Sequence, residues 1–152
     1  MADTKAGRRV LVDACILISH LRHGGKPGPT ELEQAASRFD DLVITAVTAY
    51  EVECGARAAK RGSDLAHILP VFEIVAVTFA EADQAAKVYA EQLRGNMRMS
   101  SPDAIVAGTA RLHGLPLLTS NLKHFEGIEG LRVAGTTAAL LIDEQEHHQS
   151  QE

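Results

Sequence analysis

Asp13, Glu51, Asp103 and Asn121 each stand where an apolar run gives way to a helix-like or turn-like segment. The flanking text is Val10-Leu11-Val12 before Asp13, Thr48-Ala49-Tyr50 before Glu51, Pro102 before Asp103, and Leu117-Leu118-Thr119-Ser120 before Asn121. In an α/β fold, segments at the carboxyl ends of neighbouring parallel strands gather around one crevice. Three carboxylates and an amide there would form an oxygen-rich pocket, suited to Mg²⁺ or Mn²⁺ rather than zinc. The chemistry such a pocket supports is metal-assisted phosphodiester cleavage: a divalent cation lowers the pKa of bound water and neutralises the developing oxyanion. Carboxylates converging without a cation would repel one another.

Each acid also has a purely structural reading. Asp13 can cap the helix that follows it. Thr48-x-x-Glu51 has the form of a capping box. Asp103 falls in the first turn of its helix, where the dipole favours negative charge, and Asn121 suits a turn or cap. As an amide, Asn121 leaves three formal negative charges rather than four. One tightly bound metal is therefore expected in the free protein, with a second only when substrate phosphate is present.

The elements that must position these residues alternate. Residues 8–12 and 42–45 read as short buried strands, continuous rather than alternating in hydrophobicity. Further strands are expected at 72–77, 116–119 and 131–133. Helical segments are expected at 14–21, 30–38, 48–61, 79–94, 101–113 and 136–143, with one more turn before Pro70. Ser101-Pro102 marks a helix start and His113-Gly114 a helix end. The breaker-rich 23–29 segment is a loop. This pattern gives an α/β class with a mostly parallel central sheet flanked by helices. Residues 1–143 read as one domain, and the polar 144–152 segment as a disordered tail.

Composition narrows the function classes. At 152 residues, 45% hydrophobic and 23% charged, the chain can bury a core without staples. A net charge of −5 argues against tight nonspecific binding of long duplexes, though not against a nuclease with a local basic patch. Cys15 and Cys54 provide neither a disulfide framework nor paired zinc-ligand spacing, and both read as packing residues of a reducing cytoplasm. No signal peptide or membrane-length apolar run is visible.

Around the four site residues the chain resembles the PIN domain family, specifically the bacterial VapC-type toxins. The matching stretches are VLVDACILISHLR (10–22), ITAVTAYEVECGAR (44–57) and SPDAIVAGTARLHGLPLLTSNLKHFEGIEGLRV (101–133), in the family's order. The resemblance implies a Rossmann-like PIN fold and a Mg²⁺- or Mn²⁺-dependent endoribonuclease. It also implies a homodimer and a cognate VapB-like antitoxin blocking the active site. By position, Asp13, Glu51 and Asp103 would bind metal. Asn121 stands where many PIN domains carry a fourth Asp. Cys15 departs from the polar residue usual two places after the first acid.

Among possible RNA contacts, Arg94, Arg98 and Lys123 flank the presumed site and are the preferred phosphate ligands; Thr119 and Ser120 offer hydroxyls. His113 and His124 read as exposed helix-end or loop residues, and Arg57, Lys60 and Arg61 as helix-end cations. With aromatics at 4% and no Trp, recognition should lean on RNA shape and backbone. Two other classes stay open. A catalytically weak PIN domain could bind RNA or protein, as Asn121 and Cys15 would allow. A phosphotransfer domain would need a strand-end lysine, for which only Lys123 is available.

Overall fold

The computed structural model describes residues 7–150, except for the side chains of Ser63, His147 and His148. Five strands form one parallel sheet: β1 (Arg9–Val12), β2 (Asp41–Thr45), β3 (Phe72–Val75), β4 (Leu117–Leu118) and β5 (Val133–Ala134). Seven α-helices accompany them among the described residues: α1 (Ala14–Leu21), α2 (Glu31–Arg38), α3 (Ala46–Ala58), α4 (Gly62–Ile68), α5 (Phe79–Arg94), α6 (Ser101–His113) and α7 (Thr137–Gln149).

The sheet order is β3-β2-β1-β4-β5. The chain winds outward from β1 through β2 to β3, then returns to place β4 on the other side of β1. The strand order therefore reverses between β1 and β4, and the crevice beyond their carboxyl ends is the switch point where α/β sheets bind ligands. Asp13 directly follows β1, and Thr119 directly follows β4.

Strand side chains point alternately to opposite faces, and the continuous apolar runs fill both. Val10, Val12, Leu42, Ile44 and Leu118 pack with Leu17, Leu32, Val52, Leu65 and Leu140 on one face. Leu11, Val43 and Leu117 pack with Val88, Ala107 and Phe125 on the other. The result is three layers, with α5 and α6 covering the second face. Those two helices touch at Gly108, where a Cβ would lie 2.4 Å from the Ala85 nitrogen, so only glycine permits the approach.

The structure revises several local expectations. Helix α3 begins at Ala46 rather than Thr48, because Thr45 is its cap and accepts the Thr48 N–H at 3.0 Å. The capping box that Thr48-x-x-Glu51 could have made, the rival reading of Glu51, is not formed, and Glu51 lies inside the helix. Helix α6 is capped by Ser100, one residue earlier than expected, and ends at Gly114 in the left-handed conformation (φ 63°). The expected disordered tail is helical as far as Gln149. Its Glu and Gln residues favour helix, Leu140 anchors it in the core, and Glu144 lies 3.9 Å from both Arg8 and Arg132. Residues 1–6 and 151–152 of the expected domain and tail lie outside the described residues.

Candidate active site

Asp13 is fixed from two directions. As cap of α1 its Oδ1 accepts the Ala14 N–H at 2.9 Å, while Oδ2 accepts the Thr119 hydroxyl at 2.7 Å. Only 6% of Asp13 is exposed and none of Thr119. The Thr119 oxygen in turn accepts the Asn121 N–H at 3.1 Å. Thr119, expected to contact substrate, is instead buried here with its hydroxyl on Asp13, and it ties β1 to the turn after β4.

Cys15 joins the same network. Its sulfur lies 3.5 Å from Asp13 Oδ2 and 3.4 Å from Thr119 Oγ1, and accepts the Ser120 N–H at 3.4 Å. Read from sequence as a packing residue, it is half-buried against the acid. The one available signal was its place two residues after Asp13, since its partners lie more than a hundred positions away.

Glu51, half-buried in the second turn of α3, accepts no hydrogen bond from any described residue. Its carboxyl pKa is raised, chiefly by burial and then by the charges of Asp13 and Asp103. Asp13 and Asp103 thus both lie near enough for their charges to act on Glu51. Asp103 sits at the third position of α6, where its N–H is capped by Ser100 Oγ at 3.2 Å. Its Oδ2 lies 3.0 Å from His124 Nδ1. His124, expected to be exposed without a role, is exposed but pairs with a candidate ligand.

Asn121 is exposed at the head of a 3-10 turn, Leu122–His124. Arg98 and Lys123 line a cleft of about 280 Å³ together with Asp103 and His124. Arg94 does not line it; on the last turn of α5 its charge helps lower the pKa of Glu91. Of the three cations expected to contact phosphate, two meet beside Asp103 and one does not.

The donor chemistry fits a hard divalent cation: the acids are all-oxygen donors, and Glu51 and Asp103 Oδ1 carry no competing hydrogen bond among the described residues. The side chains do not themselves close into a metal shell; no group of three His, Cys, Asp or Glu does so among the described residues. Like charges without a cation hold apart, in keeping with acids spaced too openly to form a shell yet near enough to raise the Glu51 pKa.

Comparisons with known proteins agree with this architecture. The PIN domain profile matches residues 10–130. Ribonuclease VapC10 of Mycobacterium tuberculosis is 30% identical over 123 residues, covering 81% of this chain and 90% of that protein. Ribonuclease VapC1 of Methanocaldococcus jannaschii is 28% identical over 131 residues, covering 85% and 89%. A toxin–antitoxin complex from Klebsiella pneumoniae contains a chain that superposes with a TM-score of 0.67 at 30% identity, covering 82% of this chain and 95% of that one. With the parallel sheet, the switch-point acids and a matching profile over most of its length, this chain belongs to the PIN domain family, among its VapC-like members.

Proposed function

We propose that this protein is a divalent-cation-dependent endoribonuclease, the toxin of a toxin–antitoxin pair, with Asp13, Glu51 and Asp103 as the residues that hold the cation. The observation that carries this reading is Glu51: a hydrogen-bond-free, half-buried carboxylate whose pKa is raised by burial, Asp13 and Asp103. A structural acid would be given partners; this one is left facing two more acids, an arrangement relieved by Mg²⁺ or Mn²⁺. VapC10, 30% identical, is named a ribonuclease, which supports RNA as the substrate.

When bound, the cation supplies an acidified water and neutralises charge on the phosphoryl oxygens. The chain's own residues do the positioning. Thr119 and the α1 N-terminus fix the Asp13 carboxylate, and Asn121 offers a neutral oxygen at the same turn. Arg98 and Lys123 draw backbone phosphate toward Asp103. No side chain serves as a covalent nucleophile.

A VapB-like antitoxin is the proposed partner, supported by the Klebsiella pneumoniae complex. A basic side chain entering the acid pocket would inhibit by competing with the cation. A homodimer is the proposed assembly, testable by sedimentation. No helix among the described residues is long and apolar enough to cross a membrane.

The test is cleavage of a small-RNA pool with Mg²⁺ or Mn²⁺, comparing the native chain with Asp103→Asn. Discrete cuts that need the cation and vanish in the variant are expected. A folded native protein that stays inert, while Asn121→Asp becomes active, would favour a binding module over a nuclease.

A further inference from the structure

The cleft beside Asp103 has more in it than charge. Its lining includes Gln92 from α5, Met97, Arg98 and Met99 from the loop between α5 and α6, and Lys123 and His124 from the turn after β4. Met99 is buried and forms the floor; Met97 is 47% exposed and stands at the rim. The loop is held in shape by the Gly95 and Met97 N–H groups, both donating to the Gln92 carbonyl, and by Asn96 in the left-handed region (φ 60°).

The side-chain amide of Gln92 has no hydrogen-bond partner among the described residues, and neither Arg98 nor Lys123 has an acidic one. Arg9, Arg57, Lys87 and Arg111 are each paired with a glutamate or aspartate, whereas Arg98 and Lys123 share their unpaired state with several surface cations but are the two that line one cleft. The cleft thus combines two cations free to take an anion, an amide free to donate and accept, and two thioethers. Methionine sulfur packs well against aromatic rings, and an amide reads the hydrogen-bonding edge of a base.

We propose that this cleft is a base-reading subsite for one nucleotide adjoining the scissile phosphate, with the base against Met97 and Met99, its edge on Gln92, and its phosphate on Arg98 and Lys123. The proposal rests on the ribonuclease reading above. The cleft measures about 280 Å³, just below the roughly 300–1,000 Å³ of small-molecule sites, a size that suits one nucleotide rather than two. A base lying between the methionines is out of any duplex, so the RNA must be unpaired at that nucleotide. The chain has no Trp and few aromatic residues, and the methionines supply the apolar surface that stacking rings provide elsewhere.

The experiment uses the methyl resonances of Met97 and Met99, two of the chain's three methionines. The full chain is titrated, without divalent cation, with each nucleoside 5′-monophosphate and separately with inorganic phosphate. Saturable shifts of both methyls with nucleotides, differing among the bases and larger than those with phosphate, are expected. In cleavage of unpaired RNAs varied at the positions flanking the cut, Gln92→Ala should shrink the preference among bases about tenfold, within the discrimination of one bidentate contact. Arg98→Ala should raise KM more than it lowers kcat and reduce the salt slope by about one.

Equal shifts with phosphate alone would overturn base reading in favour of a simple anion site. Active RNA cleavage with unmoved methyls, or with base preference unchanged in a folded Gln92→Ala, would overturn the subsite while leaving the ribonuclease reading intact. Nucleotide-selective shifts in a protein that cuts no RNA would support the subsite and overturn the ribonuclease reading.

Discussion

Glu51 and Glu81 are glutamates of two helices on opposite faces of the sheet, and they are treated in opposite ways. Glu81, in the first turn of α5, accepts the Thr78 N–H at 2.9 Å and the Thr78 hydroxyl, and contacts His113 Nε2 at 3.0 Å. These bonds, the Thr78 hydroxyl first, lower its pKa to about 2. Glu51 accepts none among the described residues, and burial with two neighbouring acids raises its pKa. One carboxylate is satisfied by the fold; the other is left for something outside it. The contrast separates a structural region, the α5–α6 packing around Glu81 and Gly108, from the proposed working region at the switch point, which takes in the Asp103 end of α6.

The largest expected effect lies in the working region. Asp103→Asn should lower RNA cleavage by more than about 100-fold, beyond the 10–100-fold typical of residues that only support a metal ligand. Its Tm should hold, because relieved repulsion with Glu51 offsets the weakened contact with His124. Thr119→Val, which keeps the volume but removes the hydroxyl on Asp13, should fall within that supporting range of roughly 10–100-fold. An unchanged rate in Thr119→Val would mean that Asp13 needs no positioning.

In the structural region the same kind of test should register in stability. Gly108→Ala forces a Cβ to within 2.4 Å of the Ala85 nitrogen and 2.7 Å of its Cα. Overpacking of this kind costs about 1–3 kcal/mol, measurable by urea unfolding, with cleavage by the remaining folded protein unaffected. The paired glutamate variants give the smallest and sharpest test. Without divalent cation at pH 7, Glu51→Gln should raise Tm by a few degrees, and Glu81→Gln should lower it.

The pH dependence follows in sign from Glu81. Its folded value of about 2 lies below the ordinary 4.5, so its contribution is fully present above about pH 4.5 and is lost as pH falls toward 2. Acid melting curves should therefore be shallower in that window for Glu81→Gln than for the native chain.

Most of the frame was legible in the sequence because it is local. The unbroken Val10-Leu11-Val12 run announces a strand buried on both faces, and Gly114 marks a helix end by its conformational freedom. Caps were legible only to within one side chain. Thr45 and Thr48 both suit a cap three residues before a polar or acidic position, and only the exit of β2 decides between them. Interactions between distant segments were not legible. Asp13 and Thr119 are 106 positions apart, Cys15 and Ser120 are 105 apart, and nothing local assigns His124 to Asp103. The sequence therefore singled out the candidate acids, whereas the structure revealed which groups bond to Asp13 and Asp103 and that Glu51 has no such partner among the described residues.

Calorimetric titration of Mn²⁺ into the native chain and Glu51→Gln, both without RNA, decides whether Glu51 holds a cation. One tight site is expected in the native protein, in keeping with the neutral amide at Asn121, and its loss or marked weakening in the variant. Equal binding by the two proteins, or no binding by a folded native chain, would contradict the claim that Glu51 is left unpaired to hold a cation with Asp13 and Asp103.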